Sequence, residues 1–97
     1  MAQVIYAPAA FDDLRRIYDA TATDDPTLAA NLSALIRDAI GALQSAPVSG
    51  RVVEAGLQER AVSRGKTGHV VLYRYLELED TVLVLAVRAR GEAGYPI

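Results

Sequence analysis

The sequence predicts an α+β domain in the order β-α-α-β-β-β, with a helix hairpin packed on one face of a largely antiparallel sheet. Three observations predict it. Two amphipathic helical patterns follow one another closely between residues 8 and 43. Everything after Gly50 falls into short β-prone runs, and the last two of these are joined by a link of hairpin length. At 97 residues the chain is expected to be one domain, 1–97, long enough for a single core.

Gln3-Val4-Ile5-Tyr6 is the first β-prone run, and Pro8 ends it. Proline suits the first position of a helix, where its missing N–H has no intrahelical acceptor, so a helix is expected to start there. Phe11, Leu14, Ile17, Tyr18 and Thr21 then fall at helical spacing, with Asp12, Asp13, Arg15, Arg16 and Asp19 assigned to the polar side. Asp24-Asp25-Pro26 repeats the start signal, Asp25 as cap and Pro26 at the first position. Leu28, Leu32, Leu35, Ile36, Ala39, Ile40 and Leu43 trace one apolar stripe, expected to pack on the sheet until Pro47 and Ser49-Gly50 stop it. The short link between the two helices predicts a helix hairpin.

Leu57–Ser63 has polar residues throughout and is expected as a weak strand near an edge. His69–Leu76 is stronger. Thr81–Arg88, TVLVLAVR, is apolar on both faces and is expected in the sheet interior, with Val82, Leu83, Val84 and Leu85 deeply buried. Glu77-Leu78-Glu79-Asp80 joins these two as a hairpin. The sequence shows no internal repeat, low-complexity segment or linker, and it leaves open which sheet edge the first strand joins.

Composition excludes several function classes. Hydrophobic residues make up 52% and charged ones 23%, a globular balance and not a disordered one. No apolar run reaches membrane-spanning length, and the opening MAQVIYAPAAFDD lacks the pattern of a signal peptide, so a cytoplasmic protein is expected. Without cysteine there is no disulfide framework, and a single histidine, His69, speaks against a zinc site; neither metal nor cofactor is expected. Net charge is −2 and the pI is near 5.2, against the broad basic footprint of a nucleic-acid binder. Basicity is local instead: residues 60–76 carry Arg60, Arg64, Lys66 and Arg74 and no acid.

The Gly65-Lys66-Thr67 triplet in SRGKTGHVVLYRY suggests a phosphate-binding loop, and two features reject it. The pattern needs a glycine where Arg60 stands, and a strand follows the triplet where a helix N-terminus is required. The paired acids Asp12/Asp13, Asp24/Asp25 and Glu79/Asp80 are assigned to a helix face, a cap and a turn, not to acid–base work. His69 at a strand start is either a proton shuttle or strand filler. Tyr73 and Tyr75 share one strand face and are assigned to core packing. Arg64, Lys66, Arg88 and Arg90, with Tyr95 in the tail, are the candidate anion or target site, because arginine forks and a lysine are the equipment for holding a phosphate.

The opening VIYAPAAFDDLRRIYD, the DDP before the second helix and SRGKTGHVVLYRY…TVLVLAVRARGEAGY together resemble the RelE/ParE superfamily of bacterial toxins, over nearly the whole chain. The resemblance implies the toxin of a type II toxin–antitoxin pair, held inactive by a cognate antitoxin that wraps it in a hetero-oligomer. RelE-like members cut mRNA on the ribosome; ParE-like members poison DNA gyrase and are not catalysts. Residue by residue, it implies that Arg64, Lys66, Arg88 and Tyr95 would be catalytic in a nuclease, and that Arg64, Lys66, Arg88 and Arg90 would otherwise meet the target. Ala89 and Gly91 stand where members of this branch carry histidine and arginine. With that histidine goes an easy general acid or base. An acidic domain also fits ribosome docking poorly. The ParE-like reading is therefore preferred, with a ribosome-dependent nuclease, or an attenuated member that only binds its antitoxin, as alternatives.

Overall fold

A computed structural model describes residues 1–62 and 68–89. The elements are β1 (Gln3–Tyr6), α1 (Pro8–Ala22), α2 (Pro26–Ala42), β2 (Arg51–Glu54), β3 (Leu57–Val62), β4 (His69–Leu76) and β5 (Thr81–Ala89). They form one five-stranded sheet in the order β1-β5-β4-β3-β2. Strands β2 to β5 pair antiparallel in sequence, and β1 runs parallel to β5, Gln3 opposite Thr81 and Tyr6 opposite Val84. The parallel pair needs no tight turn, because the helix hairpin and three further strands separate β1 from β5 along the chain.

Both helix starts follow the local chemistry read from the sequence. Pro8 and Pro26 each occupy the first turn, and the Asp25 carboxylate accepts the Leu28 N–H at 3.0 Å. Residues 23–25 fold α2 back against α1. Ile36, Ala39, Ile40 and Leu43 of the second apolar stripe pack, with Leu14 and Ile17 of α1, on Val71, Tyr73, Val82, Val84 and Val87 of the sheet.

The sheet departs from expectation at its edges. A short strand precedes the one expected at residue 57: β2 takes the outer position, so the polar β3 lies one place inside it. Ala55 and Gly56 make the two-residue turn between them, Gly56 at φ 75°, a conformation open to glycine. Strand β5 is interior as expected, between β1 and β4, and β4 is the middle strand.

Burial corrects several assignments. Leu28 is 54% exposed and Leu35 38%, so the stripe on α2 packs only through its second half and Leu32. Phe11 and Tyr18 face outward as well. On β5, Val82 and Val84 are fully buried while Leu83 and Leu85 are half-buried. A β-bulge explains the pattern: Leu72 pairs with Ala86 and the next residue, Tyr73, with Val84, which leaves Leu85 as the extra residue on β5. The core-facing set on β5 is therefore Val82, Val84 and Val87, with a spacing of three after the bulge, while Ala86 joins Leu57 and Leu72 in a small cluster of its own with Leu85 beside it.

Candidate functional site

The largest departure from the sequence reading is Asp13, assigned to the polar side of α1 and found 7% exposed in the core. Its position follows from where β1 stops. The parallel pairing covers β5 only as far as Val84, whose carbonyl accepts the Ala7 N–H at 2.9 Å. Beyond Val84 the chain on that side has become helix, and the rest of the β5 edge needs another acceptor. Asp13 supplies it, Oδ2 accepting the Val87 N–H at 2.9 Å. Its other oxygen, Oδ1, faces two arginines: Arg88 Nη1 at 3.8 Å and Arg16 Nη2 at 3.5 Å. A buried carboxylate is stable only when such hydrogen bonds and charges offset its lost hydration. A sequence signal for Asp13 did exist. It lies three residues after buried Ala10 and four before buried Ile17, on the apolar face of the helix.

Arg88 is the one candidate site residue within the described part of the chain; Arg64, Lys66, Arg90 and Tyr95 lie outside it. Arg88 sits on β5 opposite Val70, its side chain about a quarter exposed (24%). The strand ends around it are adjacent: Val62, the last residue of β3, pairs with His69, the first of β4, and His69 pairs with Ala89, the last of β5. The end of β3, the start of β4 and the end of β5 are thus neighbours at one end of the sheet. His69 itself is buried between two paired strands, the position of strand filler rather than of an exposed shuttle.

The two tyrosines of β4 are packing residues with working hydroxyls. Tyr73 is fully buried, and its hydroxyl oxygen accepts the Gly50 N–H at 2.9 Å. Gln58 assists, donating to the carbonyls of Val48 and Gly50 at 3.2 and 3.0 Å. Together they hold the segment that leads into β2. The Tyr75 hydroxyl donates to Asp80 Oδ1 at 2.7 Å and steadies the β4–β5 turn, where Asp80 itself adopts φ 49°. That bond to a carboxylate, with burial and nearby acids, pushes the Tyr75 hydroxyl above its usual pKa; burial does the same for Tyr73 and Tyr6.

Two surface grooves are lined by described residues alone. One, of about 390 Å³, runs between the helices and is lined by Phe11, Leu14, Arg15, Tyr18, Ser33 and Arg37. The Phe11 ring at its rim stacks on Tyr6, centroids 5.1 Å apart. The other, of about 450 Å³, lies along β2 and β3, with Arg60 and a paired Arg51–Glu59 on its walls. Among the described residues no cluster of histidine, cysteine or acid could hold a metal, and no helix is long and apolar enough to cross a membrane.

Comparison with known proteins agrees with this architecture. The family profile described as "ParE toxin of type II toxin-antitoxin system, parDE" matches residues 4–94. No curated protein matches the sequence. Among solved structures, the chain is similar to one from the chromosomal ParDE system of P. aeruginosa, with TM-score 0.77 and 18% identity over 92% of this chain and 96% of that one. It is also similar to a chain of the RelBE2 toxin–antitoxin complex of Mycobacterium tuberculosis, with TM-score 0.62 and 26% identity over 92% and 98%. A chain of the intact E. coli RelBE complex shares the fold at TM-score 0.65 and 9% identity, covering 95% and 100%.

Proposed function

Because this chain belongs to the ParE toxin family of type II toxin–antitoxin systems, we propose that it acts in the cytoplasm by inhibiting DNA gyrase, without catalysing a reaction, and is neutralised by a cognate antitoxin. One observation carries the choice of target class: the Arg88 guanidinium lies 3.8 Å from the buried Asp13 carboxylate. An RNA-cleaving site needs positive charge aimed at a phosphate as negative charge builds on it. A fixed carboxylate beside that arginine repels the phosphate and offsets the charge. Docking on a protein surface tolerates such a pair, because a guanidinium still offers directed N–H donors. In this reading Arg64, Lys66, Arg88 and Arg90 form the basic end that meets the target.

The antitoxin is supported by the ParDE and RelBE systems to which the similar chains belong, and by the apolar residues this fold leaves uncovered. Phe11 and Tyr18 on α1 and Leu28 and Leu35 on α2 are all exposed. Apolar surface of this kind favours a partner. The 26% identity to a chain of the RelBE2 complex favours a second reading, a ribosome-dependent mRNA endonuclease in which Arg64, Lys66, Arg88 and Tyr95 do the chemistry.

Two assays on one antitoxin-free preparation test the proposal: gyrase supercoiling, and a translation extract with added mRNA. Concentration-dependent loss of supercoiling with intact message is the expected result. Message cleavage with gyrase untouched would overturn it, and silence in both assays would leave an attenuated member that only binds its antitoxin.

A further inference from the structure

Asp13 does more than the β5 edge requires. To accept the Val87 N–H, a neutral amide oxygen would suffice, and it would be buried at smaller cost than a carboxylate. The negative charge needs its own reason, and the geometry supplies one. Oδ2 is anchored by the backbone N–H at 2.9 Å. With Oδ2 held there, Oδ1 faces Arg88, 3.8 Å away. Arg88 follows Val87 directly in β5, so the amide that anchors the acid and the side chain that the acid faces belong to adjacent residues. The arrangement couples the packing of α1 on the sheet edge to the direction of one guanidinium. Arg16, half-exposed on the same helix, shares Oδ1 from the solvent side at 3.5 Å.

We infer that Asp13 is a positioning residue, which holds the Arg88 guanidinium in one direction at the end of β5 for contact with the toxin's protein target. This rests on the reading that the basic end meets that target. A long side chain without such a hold loses rotamer freedom on docking. One held in advance has already lost it, and it binds with its fork aligned.

The test compares the full-length chain with Asp13→Asn, Arg88→Ala and the double variant, using two readouts. Asparagine keeps an oxygen for Val87 and removes the charge. In Asp13→Asn, hydrogen exchange at the Val87 amide should stay slow, while nitrogen NMR should show the Arg88 guanidinium rotating faster than in the wild type. Gyrase inhibition should weaken by about 2- to 10-fold, the scale of ordering one long side chain on docking. The double variant should inhibit no less than Arg88→Ala alone, because Asp13 acts through Arg88. Losses that multiply, an Arg88→Ala chain as potent as the wild type, or an Arg88 signal unaltered by Asp13→Asn would each overturn the inference. If the wild type does not inhibit gyrase, the functional reading fails, and the guanidinium signal alone decides whether Asp13 holds Arg88. Should Asp13→Asn not fold, Arg88→Lys carries the test, since it leaves the Val87 bond intact and removes the fork. Full inhibition by Arg88→Lys would then overturn the inference.

Discussion

The Gly50 amide donates to the Tyr73 hydroxyl across 23 residues of sequence, and the two approach so closely that no side chain fits at residue 50. A Cβ there would lie 2.5 Å from the hydroxyl oxygen and 2.7 Å from the carbonyl of Glu59. Tyr73 is fully buried and cannot swing aside, and the Glu59 carbonyl is backbone of β3. Gly50→Ala should therefore lower stability by about 2–3 kcal/mol, as overpacking does. Tyr73→Phe keeps the ring and strands the Gly50 N–H, for about 1–3 kcal/mol. Urea unfolding of the single and double variants checks both. The double variant should stay below wild type, because the Glu59 clash remains when the hydroxyl is gone.

Leu35 and Ile36 are adjacent in sequence and opposite in energetic role. Ile36 is fully buried against the sheet, whereas Leu35 is 38% exposed. Ile36→Ala should cost about 2–5 kcal/mol through lost burial and a residual cavity. Leu35→Ala should cost less than about 1 kcal/mol in the isolated chain. Denaturant midpoints of the two variants decide it, and equal losses would contradict the packing described.

Alkaline pH should destabilise the fold through its tyrosines. Tyr6, Tyr73 and Tyr75 all have pKa values raised above the usual 10.0 of a tyrosine, Tyr6 and Tyr73 chiefly by burial and Tyr75 chiefly by its bond to Asp80. A raised pKa means that the folded state holds the phenolic proton more tightly than the unfolded chain. The associated stability is complete below about pH 10, and it is lost as pH rises through the folded-state values. Unfolding free energy should thus show no tyrosine-dependent slope near neutrality and a decline above about pH 10. Tyr75→Phe should make that decline shallower, which chemical denaturation across the alkaline range measures directly.

Part of the candidate site was legible from residue type alone. Arg88 stood out as a cation at the end of an apolar strand, and β5 does place it there. Its partner was not legible in the same way. The pair Asp12/Asp13 looks symmetrical on paper, yet Asp12 is exposed and Asp13 buried, because 100° of helix rotation separates them and only Asp13 turns toward the β5 edge. Deciding that a carboxylate belongs on the buried side requires knowing that an unpaired N–H waits 74 residues away.

The sequence by itself determined what depends on neighbours along the chain. Pro8 and the Asp25-Pro26 pair start the helices, the 77–80 link turns β4 into β5, and alternation sets Tyr73 and Tyr75 on one strand face. Capping, turn formation and side-chain periodicity involve groups within a few residues of one another, so the residue types there suffice. Only the tertiary structure decided which strand lies beside which. The parallel seat of β1 on β5, the outer position of β2, the bulge at Leu85 and the burial of Asp13 all rest on pairing between distant backbone groups. Every residue but proline carries the same N–H and C=O, so no residue type announces its partner. The choice is made when the whole core packs and each buried backbone donor must find an acceptor.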